Sequence, residues 1–176
     1  LYVELGRGRD YAWSATSAGQ DMIDTFAVPL CGDDTHYRFR GKCLAMEKLE
    51  RVNSWTPSAA DKTPSGTETL VVYRTKLGIV TGYGKVGGKA VAYTKLRSTY
   101  FHEVDSAAGF KDFNEPAKVR DAVSFQRAAS KIGYAFNWFY ADPEKIAYFN
   151  SGANPVRAKR VDHAFPGAAV AIQRRT

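Results

Sequence analysis

The fold is decided by the segment Ala12-Trp13-Ser14-Ala15-Thr16-Ser17-Ala18-Gly19-Gln20-Asp21-Met22-Ile23-Asp24-Thr25-Phe26. Its beginning alternates in character and follows a Gly-Arg-Gly-Arg turn, which predicts a β-strand over residues 10–16. Small and polar residues then break the alternation and predict a loop over residues 17–21. An extended segment over residues 26–30 follows, because Pro29 is excluded from a helix interior.

Turn residues divide the rest of the chain into short alternating segments. We expect these segments to form strands over residues 36–39, 43–52, 69–74, 78–81, 90–94, 134–140 and 146–149. The connecting turns and loops are expected at Gly41 and over residues 54–67, 82–88 and 142–144. Helical spacing of apolar residues predicts helices over 103–112 and 117–131, the second with Pro116 near its start. This order predicts an α+β fold, mostly antiparallel with a helical insertion, in one domain over residues 1–176.

The composition is that of a folded chain. Of the 176 residues, 44% are apolar and 13% aromatic, which argues against disorder. No apolar run approaches the roughly 18 residues that a membrane span requires. The net charge of +7 is scattered, without a basic helix or a nucleic-acid motif, so we interpret it as a solvated surface and expect no nucleic-acid partner. The first residues have neither a signal-peptide pattern nor an initiator Met, so we expect the chain to open within a longer sequence.

Two cysteines, Cys31 and Cys43, stand twelve positions apart. This spacing excludes a Cys-x-x-Cys redox or zinc site. A disulfide between them would remove about 3 kcal/mol of loop entropy from the unfolded chain. It would also imply an oxidising compartment. Free buried thiols are the alternative.

Common catalytic motifs do not occur in the sequence. None of the three histidines stands beside an Asp or Ser in a triad signature, and there is no Gly-x-Ser-x-Gly elbow. The loop over residues 17–21 is unusual, because small residues leave backbone N–H groups approachable, as an oxyanion site requires. Asp21 and Asp24, with a carbonyl between them, can wrap a hard cation such as calcium. A plain loop with N-capping aspartates is the alternative.

The segment over residues 12–26 resembles the β-subunit of penicillin acylases, in which a strand ending in Trp precedes Ser/Thr-rich residues and Asp-x-x-Asp-x-Phe. Further matches follow in family order, at Asn137-Trp138-Phe139-Tyr140-Ala141-Asp142, Ile146-Ala147-Tyr148 and Gly152-Ala153-Asn154-Pro155-Val156-Arg157. Together they span nearly the whole chain. The resemblance implies a portion of the αββα fold of the N-terminal-nucleophile hydrolases. It also implies cleavage of an amide through an acyl-enzyme on an N-terminal Ser.

The resemblance implies roles for individual residues. Ser17 matches the residue whose backbone N–H supplies half of the oxyanion hole, and a backbone donor tolerates Ser in place of the more usual Ala. Leu5 and Ala15 match positions that line the acyl pocket, and both are apolar here, which favours a hydrophobic acyl group. The nucleophile is expected upstream, because Leu1 has neither a hydroxyl nor a thiol. Asn137 is not assigned to catalysis, since the oxyanion Asn of the family lies in an Asn-Trp-Asn-Asn motif.

The structural calcium of the family would be bound by the side chains of Asp21 and Asp24 and by the carbonyl of Ile23. His163 matches a further carbonyl ligand more loosely. The remaining ligands would come from the α-subunit and from the rest of the β-subunit, which are the implied protein partners. We therefore expect the isolated chain to bind calcium weakly.

The sequence thus predicts a portion of a secreted or periplasmic amidohydrolase. Its substrate would be a small acylated amide of the penicillin, acyl-homoserine lactone or lipopeptide type. We expect this chain alone to be inactive, because the nucleophile and the base are missing from it. The alternative is a non-catalytic, basic extracytoplasmic binding or structural module.

Overall fold

The computed structural model describes residues 2–60, 62–159 and 162–168. The described chain is α+β, and its two sheets are antiparallel apart from one short parallel pair. It forms two compact units, the first comprising Leu1–Ile23 and Arg97–Pro155 and the second Asp24–Leu96 and Val156–Thr176. Each unit has its own cluster of buried apolar side chains. The predicted fold class is confirmed, whereas the assignment of a single domain stays a prediction.

The strands of the described residues follow in chain order. They are β1 (Gly6–Arg7), β2 (Ala12–Ser17), β3 (Ile23–Cys31), β4 (Asp33–Phe39), β5 (Lys42–Ala45), β6 (Glu47–Trp55), β7 (Gly66–Thr75), β8 (Gly78–Val86), β9 (Lys89–Arg97), β10 (Phe136–Ala141), β11 (Ile146–Ser151) and β12 (Gly167–Ala168). A 3₁₀ turn over Glu103–Ser106 leads into helix α1 (Ala107–Phe113), and helix α2 spans Ala122–Ala129. No helix in this part of the chain is long and apolar enough to cross a membrane.

The first unit is built on a four-stranded sheet of order β1-β2-β10-β11. Alternate residues of β10 point to its two faces. Trp138 and Tyr140 point toward the helices, where Trp138 packs edge-on to Phe113 at a centroid distance of 5.0 Å and Tyr140 lies 5.1 Å from Phe125. Asn137 therefore lies on the opposite face. This aromatic cluster holds β10 against the helices, and β10 positions β2 by pairing with it.

Helix α2 is shorter than predicted. It begins at Ala122 instead of residue 117, because Asp121 caps it: the Asp121 carboxylate accepts a bond of 2.7 Å from the Ser124 N–H. The Ser124 hydroxyl in turn accepts from the Asp121 N–H at 3.0 Å, which completes a capping box. Pro116 lies in the turn that precedes the helix. The sequence analysis used Pro116 as the start signal of this helix, whereas the residue that starts it is Asp121.

The second unit is built on a sheet of order β5-β4-β3-β9-β8-β7-β6, with β12 parallel to β3. Its apolar cluster includes Val28, Tyr37 and Ala92. The strand predicted over residues 43–52 is divided in two at Met46. The Met46 N–H donates to the Thr35 carbonyl at 2.7 Å, so β5 pairs with β4 and β6 pairs with β7.

Two predicted loops of the second unit are shorter in the structure. The Gly-rich turn predicted over 82–88 is a two-residue hairpin turn at Gly87 and Gly88, and both have positive φ, at 56° and 77°. Gly82 and Gly84 belong to β8. The loop predicted over 54–67 also contracts, because Trp55 pairs with Gly66 across β6 and β7. The Trp55 ring covers Gly66 so closely that a Cβ there would lie 2.6 Å from it.

A disulfide joins Cys31, at the end of β3, to Cys43, in β5. Both strands flank β4 in the same sheet. The disulfide prediction is confirmed over the alternative of free thiols. Closing a loop of this length stabilises the fold by about 3 kcal/mol in the loop-entropy description.

Candidate functional site

The backbone N–H of Ser17 points away from the neighbouring strand β10. Ser17 ends β2, and the next residue, Ala18, donates its N–H to the Ala135 carbonyl at 3.3 Å. Opposite residues of antiparallel strands alternate between bonded and non-bonded pairs. Since Ser17 lies opposite Phe136, one step from the bonded pair, its N–H is directed to the other edge of β2.

Among the described residues, that other edge is only partly covered by a neighbouring strand. Strand β1 pairs with Ala12 and Trp13 alone and so stops four residues before Ser17. Leu5 directly precedes β1 at this edge and is 56% exposed. Ala15 lies between Trp13 and Ser17, partly buried against the aromatic cluster. The fold thus places Ser17 and Ala15 in β2 and Leu5 directly before β1, with Ala15 packed against the aromatic cluster. Their roles in oxyanion and acyl binding stay predictions.

Asn137 holds the end of β2 in place. Its Nδ2 donates to the Ser17 carbonyl at 3.1 Å and lies 3.3 Å from Thr16 Oγ1. Its Oδ1 accepts from the Tyr148 hydroxyl at 2.6 Å and from Asn150 Nδ2 at 2.9 Å. Sequence reasoning placed Asn137 in a strand motif and gave it no role. Its position as an amide in a strand otherwise rich in aromatics, Phe136–Ala141, is the signal that could have identified it.

The amide of Asn150 is itself oriented by a third amide. Gln20, in the loop after β2, donates from Nε2 to Asn150 Oδ1 at 2.5 Å. Gly152 makes room for Gln20, because a Cβ at Gly152 would lie 2.8 Å from Gln20 Oε1. Gln20, Asn150 and Asn137 therefore form a series of side-chain amides that leads to the carbonyl of Ser17.

The residues predicted for calcium are distributed over both units. Asp21 and Ile23 lie at the end of a first-unit segment and are exposed, whereas Asp24 and His163 belong to the second unit. Asp24 Oδ1 accepts from Arg157 Nε at 2.8 Å, and about a fifth of each side chain remains exposed. No group of three or more His, Cys, Asp or Glu side chains suited to a metal is found in the described residues.

These residues fit calcium only in part. Calcium takes six to eight oxygen ligands. The predicted set supplies two carboxylates and carbonyl oxygens, and one of the carboxylates already neutralises a guanidinium. Ligands from outside the described residues would be needed to complete a site, and Arg157 would have to move aside.

A large pKa shift of the first unit lies at the opposite end of β10 from Asn137. Burial and the bond of 2.7 Å to Asp142 raise the pKa of Tyr140 well above its usual value. The same bond, with the Glu144 and Lys145 N–H groups, holds the pKa of Asp142 below its usual range. These groups close the turn between β10 and β11, and we assign them a structural role.

Known proteins resemble this chain in sequence and in fold. The family model described as penicillin amidase matches residues 1–172. A solved structure, thermostable penicillin G acylase from Alcaligenes faecalis, superimposes with a TM-score of 0.78 at 27% sequence identity. The match covers 96% of this chain and 29% of that chain, so this chain spans less than a third of the acylase it resembles. The predicted resemblance is confirmed: the chain belongs to the penicillin amidase family.

Proposed function

We propose that this chain carries part of the active site of an amidohydrolase, with the Ser17 N–H as one donor of the oxyanion hole. The observation that carries the proposal is the direction of this N–H, which the register of β2 against β10 turns to the edge that β1 leaves open in the described part of the chain. A backbone donor aimed at a developing oxyanion is among the largest contributions to acyl-transfer catalysis. Membership of the penicillin amidase family supports the same reaction class.

The proposed reaction is acyl transfer followed by hydrolysis. A nucleophilic hydroxyl attacks the amide carbonyl, and its proton passes by way of a base to the leaving amine. By the family resemblance, that hydroxyl and base belong to an N-terminal Ser outside this chain. The carbonyl oxygen becomes an oxyanion in the tetrahedral intermediate, where the Ser17 N–H donates to it. Water then cleaves the acyl-enzyme through a second tetrahedral intermediate.

The acyl group is proposed to be hydrophobic. Leu5 is exposed next to β1, Ala15 is partly buried against the aromatic cluster, and both side chains are apolar. Penicillins, acyl-homoserine lactones and lipopeptides all offer such a group next to an amide. The disulfide supports an oxidising, extracytoplasmic location, secreted or periplasmic.

Hydrolysis of a chromogenic phenylacetyl or long-acyl amide tests the proposal. We expect release of the chromophore by the full-length parent enzyme and none above background by residues 1–176 alone. Activity in the 176-residue chain would place the nucleophile within it and contradict the assignment. Failure of the full-length enzyme on both amides would favour the alternative of a non-catalytic binding or structural module.

A structural calcium is proposed on Asp21, Ile23 and Asp24, with His163 as a weaker assignment. Arg157 forms an ion pair with Asp24, and its positive charge repels a dication. We therefore expect the isolated chain to bind calcium with a dissociation constant above the roughly 10⁻³ M of the weakest extracellular modules. Replacing Arg157→Gln should tighten binding about three- to tenfold by removing this competing charge. Isothermal titration with CaCl₂ measures both values.

Lys159→Gln is the matched control for calcium, since it removes the same charge from an exposed position of the same segment. We expect it to leave calcium affinity within about twofold of the unsubstituted chain, as screened surface charges do. Equal calcium affinities of the Arg157→Gln and Lys159→Gln variants would show that Asp24 is not a calcium ligand.

A further inference from the structure

We propose that Asn137 is a positioning residue for the oxyanion donor. The inference rests on the proposed function, because it concerns how the Ser17 N–H is held in its direction. Asn137 itself lies on the neighbouring strand and contacts Ser17 through the Ser17 carbonyl. It acts on the reaction only through the backbone of Ser17.

Asn137 fixes the peptide plane that follows Ser17. This plane contains the Ser17 carbonyl and the Ala18 N–H. The carbonyl accepts from Asn137 Nδ2 at 3.1 Å, and the N–H donates to the Ala135 carbonyl at 3.3 Å. Both polar groups of the plane are therefore bound, so rotation about ψ of Ser17 would break a bond.

Asn137 also fixes the plane that precedes Ser17. Thr16 lies opposite Asn137, and the alternation along β2 makes this a bonded pair. The backbone N–H of Asn137 thus meets the Thr16 carbonyl, which shares its peptide plane with the Ser17 N–H. One residue holds the two planes on either side of Ser17, by its backbone and by its side chain.

The amide of Asn137 is locked in the orientation that this role requires. Two donors, from Tyr148 and Asn150, converge on Oδ1 and leave Nδ2 to face Ser17. Asn150 has to present its Nδ2, because its own Oδ1 accepts from Gln20. An Asp at position 137 would keep the shape and lose the donor, since an ionised carboxylate only accepts.

Asn137→Asp in the full-length enzyme tests the inference. With kcat expressed per active site by burst titration, we expect kcat to fall about tenfold while KM stays within about twofold, because the lost alignment matters only in the transition state. A merely structural loss would lower the number of titrated sites instead. Asn53→Asp, the same substitution in the exposed strand β6, is the control and should leave kcat unchanged.

A double variant separates this inference from the proposed function. If Asn137 acts through Ser17, then Asn137→Asp should lower kcat less than about twofold when Ser17→Pro is already present. If Ser17→Pro lowers kcat and Asn137→Asp does not, the positioning role alone would be overturned. No loss from Ser17→Pro would overturn the oxyanion assignment itself.

Nuclear magnetic resonance on the 176-residue chain gives a readout that needs no activity. We expect the order parameter of the Ser17 amide to be near the rigid value of about 0.85 and to fall toward about 0.6 in Asn137→Asp. An unchanged order parameter would show that Asn137 does not hold this amide. Asn53→Asp again serves as the control.

Discussion

Ser17→Pro should lower kcat of the full-length enzyme by about 10²–10³-fold, because proline removes the N–H that we propose as an oxyanion donor. The substitution is well suited to this position. The lost N–H is not used in the pairing of β2 with β10, and proline is accepted in strands where its nitrogen faces an uncovered edge. We therefore expect the variant to fold. Steady-state kinetics with burst titration of the active sites provides the measurement.

Ser17→Ala is the companion variant, since it removes the hydroxyl and keeps the N–H. We expect it to lose less than about tenfold in kcat, far less than Ser17→Pro. Similar losses of kcat in the two variants would indicate that the Ser17 hydroxyl, and not the backbone N–H, stabilises the oxyanion. Wild-type kcat in Ser17→Pro would show that this amide contributes nothing to the transition state.

Trp138→Ala should lower the free energy of unfolding by about 3–5 kcal/mol, as expected for truncation of a large buried aromatic. The Trp138 side chain is 1% exposed and meets Phe110, Phe113 and Phe136 at centroid distances of 5.8, 5.0 and 5.3 Å. Its Nε1 also donates to the buried Ser151 hydroxyl at 2.9 Å. Urea unfolding followed by circular dichroism measures the change.

Phe139→Ala is the matched control for this loss. Phe139 is the next residue of β10, points to the opposite face and is 38% exposed. We expect it to cost about 1 kcal/mol, as for a typical surface-proximal substitution. If Trp138→Ala proves too unstable to purify, Trp138→Phe should show a smaller loss in the same direction. Equal losses at positions 138 and 139 would contradict the assignment of the core face.

The sequence predicted elements whose periodicity is strong and local. The strand at Ala12–Ser17 and the hairpin formed by Phe136–Ala141 and Ile146–Ser151 follow from alternation bounded by turn residues. The start of α2 was misplaced, because two start signals, Pro116 and Asp121, compete within six residues and only side-chain bonding to Ser124 decides between them. The Gly-rich segment predicts one long turn, since a sequence does not show which glycines need positive φ.

The candidate site was only half accessible to sequence reasoning. Ser17 was found through resemblance, because its proposed role belongs to the backbone and leaves no mark in residue type. Sequence reasoning assigned Asn137 no role, since its partners Tyr148 and Asn150, and Gln20 that bonds to Asn150, become neighbours only when three separate segments pair. Long-range register is the information that single-sequence patterns lack.

The alternation of bonded and non-bonded pairs along β2 has a consequence for how this site tolerates change. Which amides face the uncovered edge depends on whether their position is odd or even, and not on the side chains they carry. Deleting or inserting one residue before Ser17 would exchange the two sets and turn a different amide toward the edge where we propose that the oxyanion forms. Many side-chain replacements along β2 should therefore be accepted by the chemistry. A single-residue change in strand length should abolish it.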